Sequence, residues 1–141
     1  MKNSKIINKI SISVGDETFV INVGVLLHID ENNIENEAES TLANFGYFST
    51  LKAKLGRVVS DIQLQATSLY SELFLDLKRD EESRISDRYA ESYANNDEDY
   101  QELIASLNKA KEHLNIITGI AEALKLKINV IQTISANLRK S

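Results

Sequence analysis

From Tyr100 to Leu138 the chain sets apolar residues in alternating steps of three and four: Tyr100, Leu103, Leu107, Ala110, Leu114, Ile117, Ala121, Leu124, Ile128, Ile131 and Leu138, with Ser135 the polar member of the series. Only an α-helix brings such positions to one face, and a mean step of 3.5 is what a supercoiled partner helix selects. At 1.5 Å per residue the helix is about 60 Å long, too long for one compact core to cover. A second stripe, Ile116, Ile120, Val130 and Ile134, runs beside the first. Together they make the stretch from Leu114 to Ile134 apolar over more than half its circumference, wider than one antiparallel partner covers. The expectation is self-association through this C-terminal half, carried by Leu114, Ile117, Ile120, Leu124, Ile128, Ile131 and Ile134.

The 141 residues include neither proline nor cysteine. Without proline, long helices run uninterrupted; without cysteine there is no disulfide framework and no thiolate zinc site. Near the N-terminus the period changes to two. Ile10, Ile12 and Val14 alternate with serines, Gly15-Asp16-Glu17 supplies turn residues, and Phe19, Ile21, Val23, Val25 and Leu27 resume the alternation. This predicts a β-hairpin over residues 6–27. A lone hairpin is marginal in water, so it packs on the helices or pairs with another copy.

Asp30 is placed to cap a helix carrying Ile34, Ala38 and Leu42, and Asn44-Phe45-Gly46 reads as its break. A longer helix is expected from Tyr47 to Arg79, where Leu51, Leu55, Val59, Ile62, Ala66, Leu69, Leu73 and Leu77 step by about 3.7 residues. Ser86-Asp87 can cap a short helix bearing Tyr89 and Tyr93, and Asn95-Asn96-Asp97 restarts the chain into the final helix. The fold class expected is mainly α: long antiparallel helices forming an oligomeric helical bundle, with an N-terminal β-hairpin. The organisation expected is a hairpin arm at 1–29 and a helical oligomerisation and binding domain at 30–141.

The chemistry of catalysis is missing from the pattern. His28 lies beside Asp30 and Glu31 at a strand-to-helix junction, where a surface or capping role is expected, and His113 follows Glu112 on the last helix. No spacing matches a zinc site, no Gly-x-Ser-x-Gly elbow occurs, and the five glycines are too scattered to cradle phosphate. The chain is therefore expected not to be an enzyme and to use no cofactor or metal. No segment has the apolar length of a membrane span or the core of a signal peptide, which predicts a soluble intracellular protein with no membrane partner.

A formal net charge of -5 opposes a strongly basic nucleic-acid binder. The charge is uneven, however. Residues 30–39 and 80–102 are acidic, whereas after Leu103 the bases Lys109, Lys111, Lys125, Lys127, Arg139 and Lys140 face only Glu112 and Glu122. This C-terminal bias is either an ordinary solvated helix face or a basic surface built up for a polyanion as copies assemble.

The block Ile85-Ser86-Asp87-Arg88-Tyr89-Ala90-Glu91-Ser92, followed by Asn95-Asn96-Asp97-Glu98-Asp99-Tyr100-Gln101-Glu102-Leu103, resembles the UvsY-type recombination mediators of large tailed phages. In that family a long helix ends in a charged turn, then comes a Ser/Thr-led short helix, then an acidic restart into a long C-terminal helix. The order matches over about residues 28–141, including Ile29-Asp30 at its opening and Tyr47-Phe48 early in the long helix. The resemblance implies a non-enzymatic accessory factor in DNA recombination and repair. It would be a ring-like homo-oligomer that binds single-stranded DNA and helps a recombinase displace a single-strand-binding protein, in the host cytoplasm if phage-encoded. Two departures stand out. Val58–Leu77 holds no lysine or arginine, with Leu73 and Leu75 about where the family's bases would fall, and the hairpin looks like an addition to the family's core. DNA contacts are then expected from Lys52, Lys54 and Arg57, and from Lys109, Lys111, Lys125 and Lys127. Tyr70, Phe74, Tyr89 and Tyr93 are candidates for base stacking, with core packing favoured for Phe74. The alternative is a non-enzymatic helical scaffold or structural assembly protein with no nucleic-acid contact.

Overall fold

The computed structural model describes residues 9–79 and 84–140; residues 6–8 of the expected hairpin and residues 80–83 of the acidic stretch lie outside them. Strands β1 (Lys9–Val14) and β2 (Glu17–Asn22) form an antiparallel hairpin with Val14 opposite Glu17, Ile12 opposite Phe19 and Ile10 opposite Ile21. Gly15 sits at φ 63° and no other described residue has positive φ. Positive φ at the first loop position alone defines a type II′ turn, whose twist suits a two-residue hairpin. The inward face carries Ile12 and Ile21 into the core, and the outward face is polar except for Val20.

The hairpin is shorter than its apolar alternation predicts. Val23, Val25 and Leu27 belong to a one-turn helix, α1 (Val23–Leu27). Asn22 causes the change: its side chain accepts from the Val25 amide at 3.0 Å, capping a turn that period-two reading misses. The chain leaves α1 through exposed His28, whose N–H donates to the Gly24 carbonyl. Asp30 then caps a single 3₁₀ turn, Glu31–Asn33, by accepting from the Asn32 amide at 3.0 Å, and this turn feeds α2 (Ile34–Lys78).

The expected break at Asn44-Phe45-Gly46 does not occur; α2 runs 45 residues through it. A glycine inside a helix costs only about 1 kcal/mol, and the buried Phe48, Leu51 and Leu55 that follow it hold the helix together. After it come α3 (Asp87–Asn95), capped by the Ser86 hydroxyl accepting from the Tyr89 amide, and α4 (Glu98–Lys140), capped by Asp97 accepting from the Tyr100 amide. The short helix and the acidic restart therefore sit where the sequence puts them.

The chain divides into two compact units, one of Met1–Leu55 with His113–Ser141 and the other of Gly56–Glu112. In the first, Ile12, Phe48, Leu51, Leu55, Ile117, Leu124 and Ile131 make a core of large side chains. In the second, the buried residues are mostly small: Ala66, Ala90, Ala94 and Ala110, with Leu107. Its aromatic groups form a half-buried cluster in which Tyr70 lies 6.5 Å from Phe74 and 5.5 Å from Tyr100.

A Cβ added at Gly46 meets nothing within 4 Å. Gly46→Ala is accordingly expected to raise stability by about 0.4–1 kcal/mol, and Gly15→Ala, forced into positive φ, to lower it by about 1–2 kcal/mol. Denaturant midpoints of the two variants should move in opposite directions.

Candidate nucleic-acid interface

Of the seven bases expected to meet phosphate, six are exposed. Lys52 and Lys54 on α2 and Lys125 on α4 belong to the first unit; Arg57 on α2 and Lys109 and Lys111 on α4 belong to the second. Lys54 lines a groove that also holds Asp16 and Glu17 of the hairpin turn. Lys125, Lys109 and Lys111 have no ion pair among the described residues.

Lys127 is a correction. Its side chain is 6% exposed, and its ammonium lies 3.0 Å from Glu37 Oε2 and donates to the Leu26 carbonyl at 3.0 Å. It therefore closes three elements of the first unit upon one another and is not free for phosphate. Each contact has a local reason. Leu26 O is one of the last carbonyls of α1, left without an intrahelical donor. Glu37 stands in the first turn of α2, where a carboxylate suits the helix end. Glu37 Oε2 is buried, and it meets the ammonium as an ion pair outside hydrogen-bond geometry.

The expected oligomerisation residues need a second correction. Ile117, Ile120, Leu124 and Ile131 are buried inside the folded protomer. Leu114, Ile128 and Ile134 are half-buried. The seam is thus largely satisfied within one chain, because the hairpin and the first half of α2 share a unit with the second half of α4. What stays uncovered is a neighbouring ridge at four-residue steps, Leu126, Val130, Ile134 and Leu138, of which Leu126, Val130 and Leu138 are exposed.

His113, given no role by its spacing, is also buried. His113 Nδ1 lies 3.1 Å from the Ser13 amide nitrogen and 3.2 Å from the Ser13 carbonyl, accepting from the first or donating to the second according to its tautomer. The register explains why Ser13 needs this partner. Val14 and Glu17 flank a two-residue loop and exchange both ladder bonds, so Ser13 and Thr18 form the non-bonded pair and point their amides outward. Their hydroxyls, 3.5 Å apart, fit that closer pairing. His113 and Lys127 were detectable: His113, Ile117, Ile120, Leu124, Lys127 and Ile131 form a stripe in which two polar residues occupy core positions.

The aromatic residues separate into two groups. Tyr70 and Phe74 pack with Tyr100, whereas Tyr89 and Tyr93, one turn apart on α3, are exposed while Ala90 and Ala94 of the same helix are buried. A shallow groove of about 300 Å³ runs between them and Ser92, Asn96 and Asp97. No group of His, Cys, Asp and Glu among the described residues could hold a metal ion, and no described helix is long and apolar enough to cross a membrane.

No protein-family model and no curated protein matches the chain. Among solved structures it is similar to the crystal structure of the bacteriophage T4 recombination mediator protein UvsY, with a TM-score of 0.70 and 16% sequence identity over 84% of this chain and 91% of that one. The chain has a UvsY-like fold.

Breaking a buried ion pair from one side costs about 3 kcal/mol. Lys127→Met is expected to show a loss of that size in urea unfolding, Lys127→Met with Glu37→Leu to recover most of it, and Lys125→Ala to stay within about 0.5 kcal/mol of wild type. Leu124→Asp should unfold the protomer; a folded monomer in its place would return Leu124 to the surface seam.

Proposed function

We propose that the chain is a homo-oligomeric recombination mediator that binds single-stranded DNA through phosphate contacts and helps load a recombinase in place of a single-strand-binding protein. One observation carries the reading: the UvsY-like fold extends over most of both chains, leaving little of either outside the match. The protein acts without catalysis, as an accessory factor in the host cytoplasm.

Copies would meet along the ridge Leu126, Val130, Ile134 and Leu138, with half-buried Leu114 and Ile128 alongside, since an apolar strip open to water favours association. Assembly then multiplies the few exposed bases, Lys52, Lys54, Arg57, Lys109, Lys111 and Lys125, into a many-fold phosphate contact. Tyr89 and Tyr93 present open aromatic faces, the kind on which bases stack without regard to sequence.

A scaffold that never touches nucleic acid is the second reading. The absence of lysine and arginine from Val58–Leu77 favours it, as does the loss of Lys127 to an internal ion pair.

Binding of a labelled oligothymidylate to the assembled protein separates the two. The mediator binds at low salt and weakens as salt rises, with a log–log slope of about −0.7 for each phosphate neutralised. Lys109→Ala and Lys111→Ala should each shallow that slope by about 0.7. Tyr89→Ala with Tyr93→Ala should weaken binding without altering the slope. A verified oligomer that ignores the oligonucleotide at low salt establishes the scaffold.

A further inference from the structure

The two edges of the hairpin are treated differently. On β1 the outward amide of Ser13 is taken by His113 of α4. On β2 the same register turns the N–H and C=O groups of Thr18 and Val20 outward, and none of the four meets a partner among the described residues. Proteins commonly blunt such an edge with a lysine, a proline or a bulge. Thr18–Asn22 has none of these; it is regular, uncharged, and centred on a valine 71% exposed.

We propose that the outer edge of β2 is an interface with β2 of a second copy, the two hairpins joining as one four-stranded antiparallel sheet across a two-fold axis. The outward groups fix the register. Val20 lies opposite Val20 of the partner subunit and exchanges both bonds with it, and Thr18 lies opposite Asn22 of the partner subunit. Charge permits the approach. The acid at the end of the strand, Glu17, falls beyond the paired residues and opposite an uncharged stretch, so no like charges meet across the axis.

Area points to the same occupant. A stable interface takes about 800 Å² a side, more than a six-residue edge supplies alone. Beside β2, however, a groove of about 710 Å³ runs to α2 and is lined by exposed Val20, Val25 and Tyr47. A second β2 laid along the edge sets its own Val20 beside Val20 at the rim of this groove, and the symmetry repeats the burial on the partner. The contact rests on the self-association contained in the mediator reading but needs no nucleic acid.

The test sets particle mass by light scattering beside amide exchange at Thr18 and Val20, for wild type, Val20→Lys, Thr18→Lys and Val20→Thr. Both altered side chains lie on the polar outer face, so circular dichroism should show the fold retained, and two lysine variants guard against one that misfolds. Expected are a halved mass for each lysine variant, an unchanged mass for Val20→Thr, and slow exchange of both amides in wild type that becomes fast in Val20→Lys. A mass unchanged by lysine, or fast exchange in the wild-type particle, overturns the pairing. Slow exchange with unchanged mass also overturns it, assigning the edge to another segment. Oligothymidylate binding measured on the same samples keeps the two proposals apart. A DNA-binding oligomer indifferent to lysine at Val20 fails only the pairing, and a particle that halves but ignores DNA fails only the mediator.

Discussion

The ammonium of Lys127 holds together the ends of the sequence. It meets a carboxylate at the start of α2 and a carbonyl at the end of α1, while the rest of its side chain lies in an apolar core. A charge so placed is tolerated only with partners on hand, because desolvating an unpaired ammonium costs several kcal/mol. The pair therefore selects one arrangement of α1, α2 and α4 from the many that apolar packing alone would accept. His113 imposes the same choice two heptads earlier, where its ring nitrogen meets the outward backbone groups of Ser13. Directional polar contacts in a greasy interior fix register; the leucines and isoleucines around them supply the bulk of the burial.

Much of this architecture was legible because it follows from local chemistry. Ser86 is a helix cap in the sequence and in the fold, Asp97 stands at the acidic restart of the last helix in both, Gly15 makes the hairpin turn, and the seam of α4 is a real buried face. The misreadings also have physical causes. A period of two cannot tell a strand from a single capped turn, so Val23–Leu27 was absorbed into the hairpin until the Asn22 side chain is considered. Gly46 looked like a break because propensity is a local quantity, whereas helix continuity there is decided by Phe48, Leu51 and Leu55. The basic site was the least legible part. A lysine on a helix of alternating polarity counts as surface charge unless its phase is compared with the apolar stripe, and Lys127 is in phase with it.

The width of the apolar band pointed to assembly, and part of that width is now accounted for inside the protomer. The inner face of α4 serves the first unit's core, and the outer ridge from Leu126 to Leu138 is left to other contacts. The second unit offers a different surface, an α3 that packs through alanines and turns tyrosines to water. Small residues let that helix lie close to its support, and the large amphipathic rings stay on the open side. A UvsY-like fold is thus combined here with four bases on α2, none of them between Val58 and Leu77, and six on α4.

Ser13 meets His113 across 100 positions and Leu26 meets Lys127 across 101. During synthesis the hairpin and α1 precede α4, which carries the partner of each. Until α4 emerges the ribbon has only α2 to rest on, and the first unit closes once that last helix is made. Premature termination before His113 would remove the partners of both Ser13 and Leu26 and leave both edges of the ribbon open to other chains.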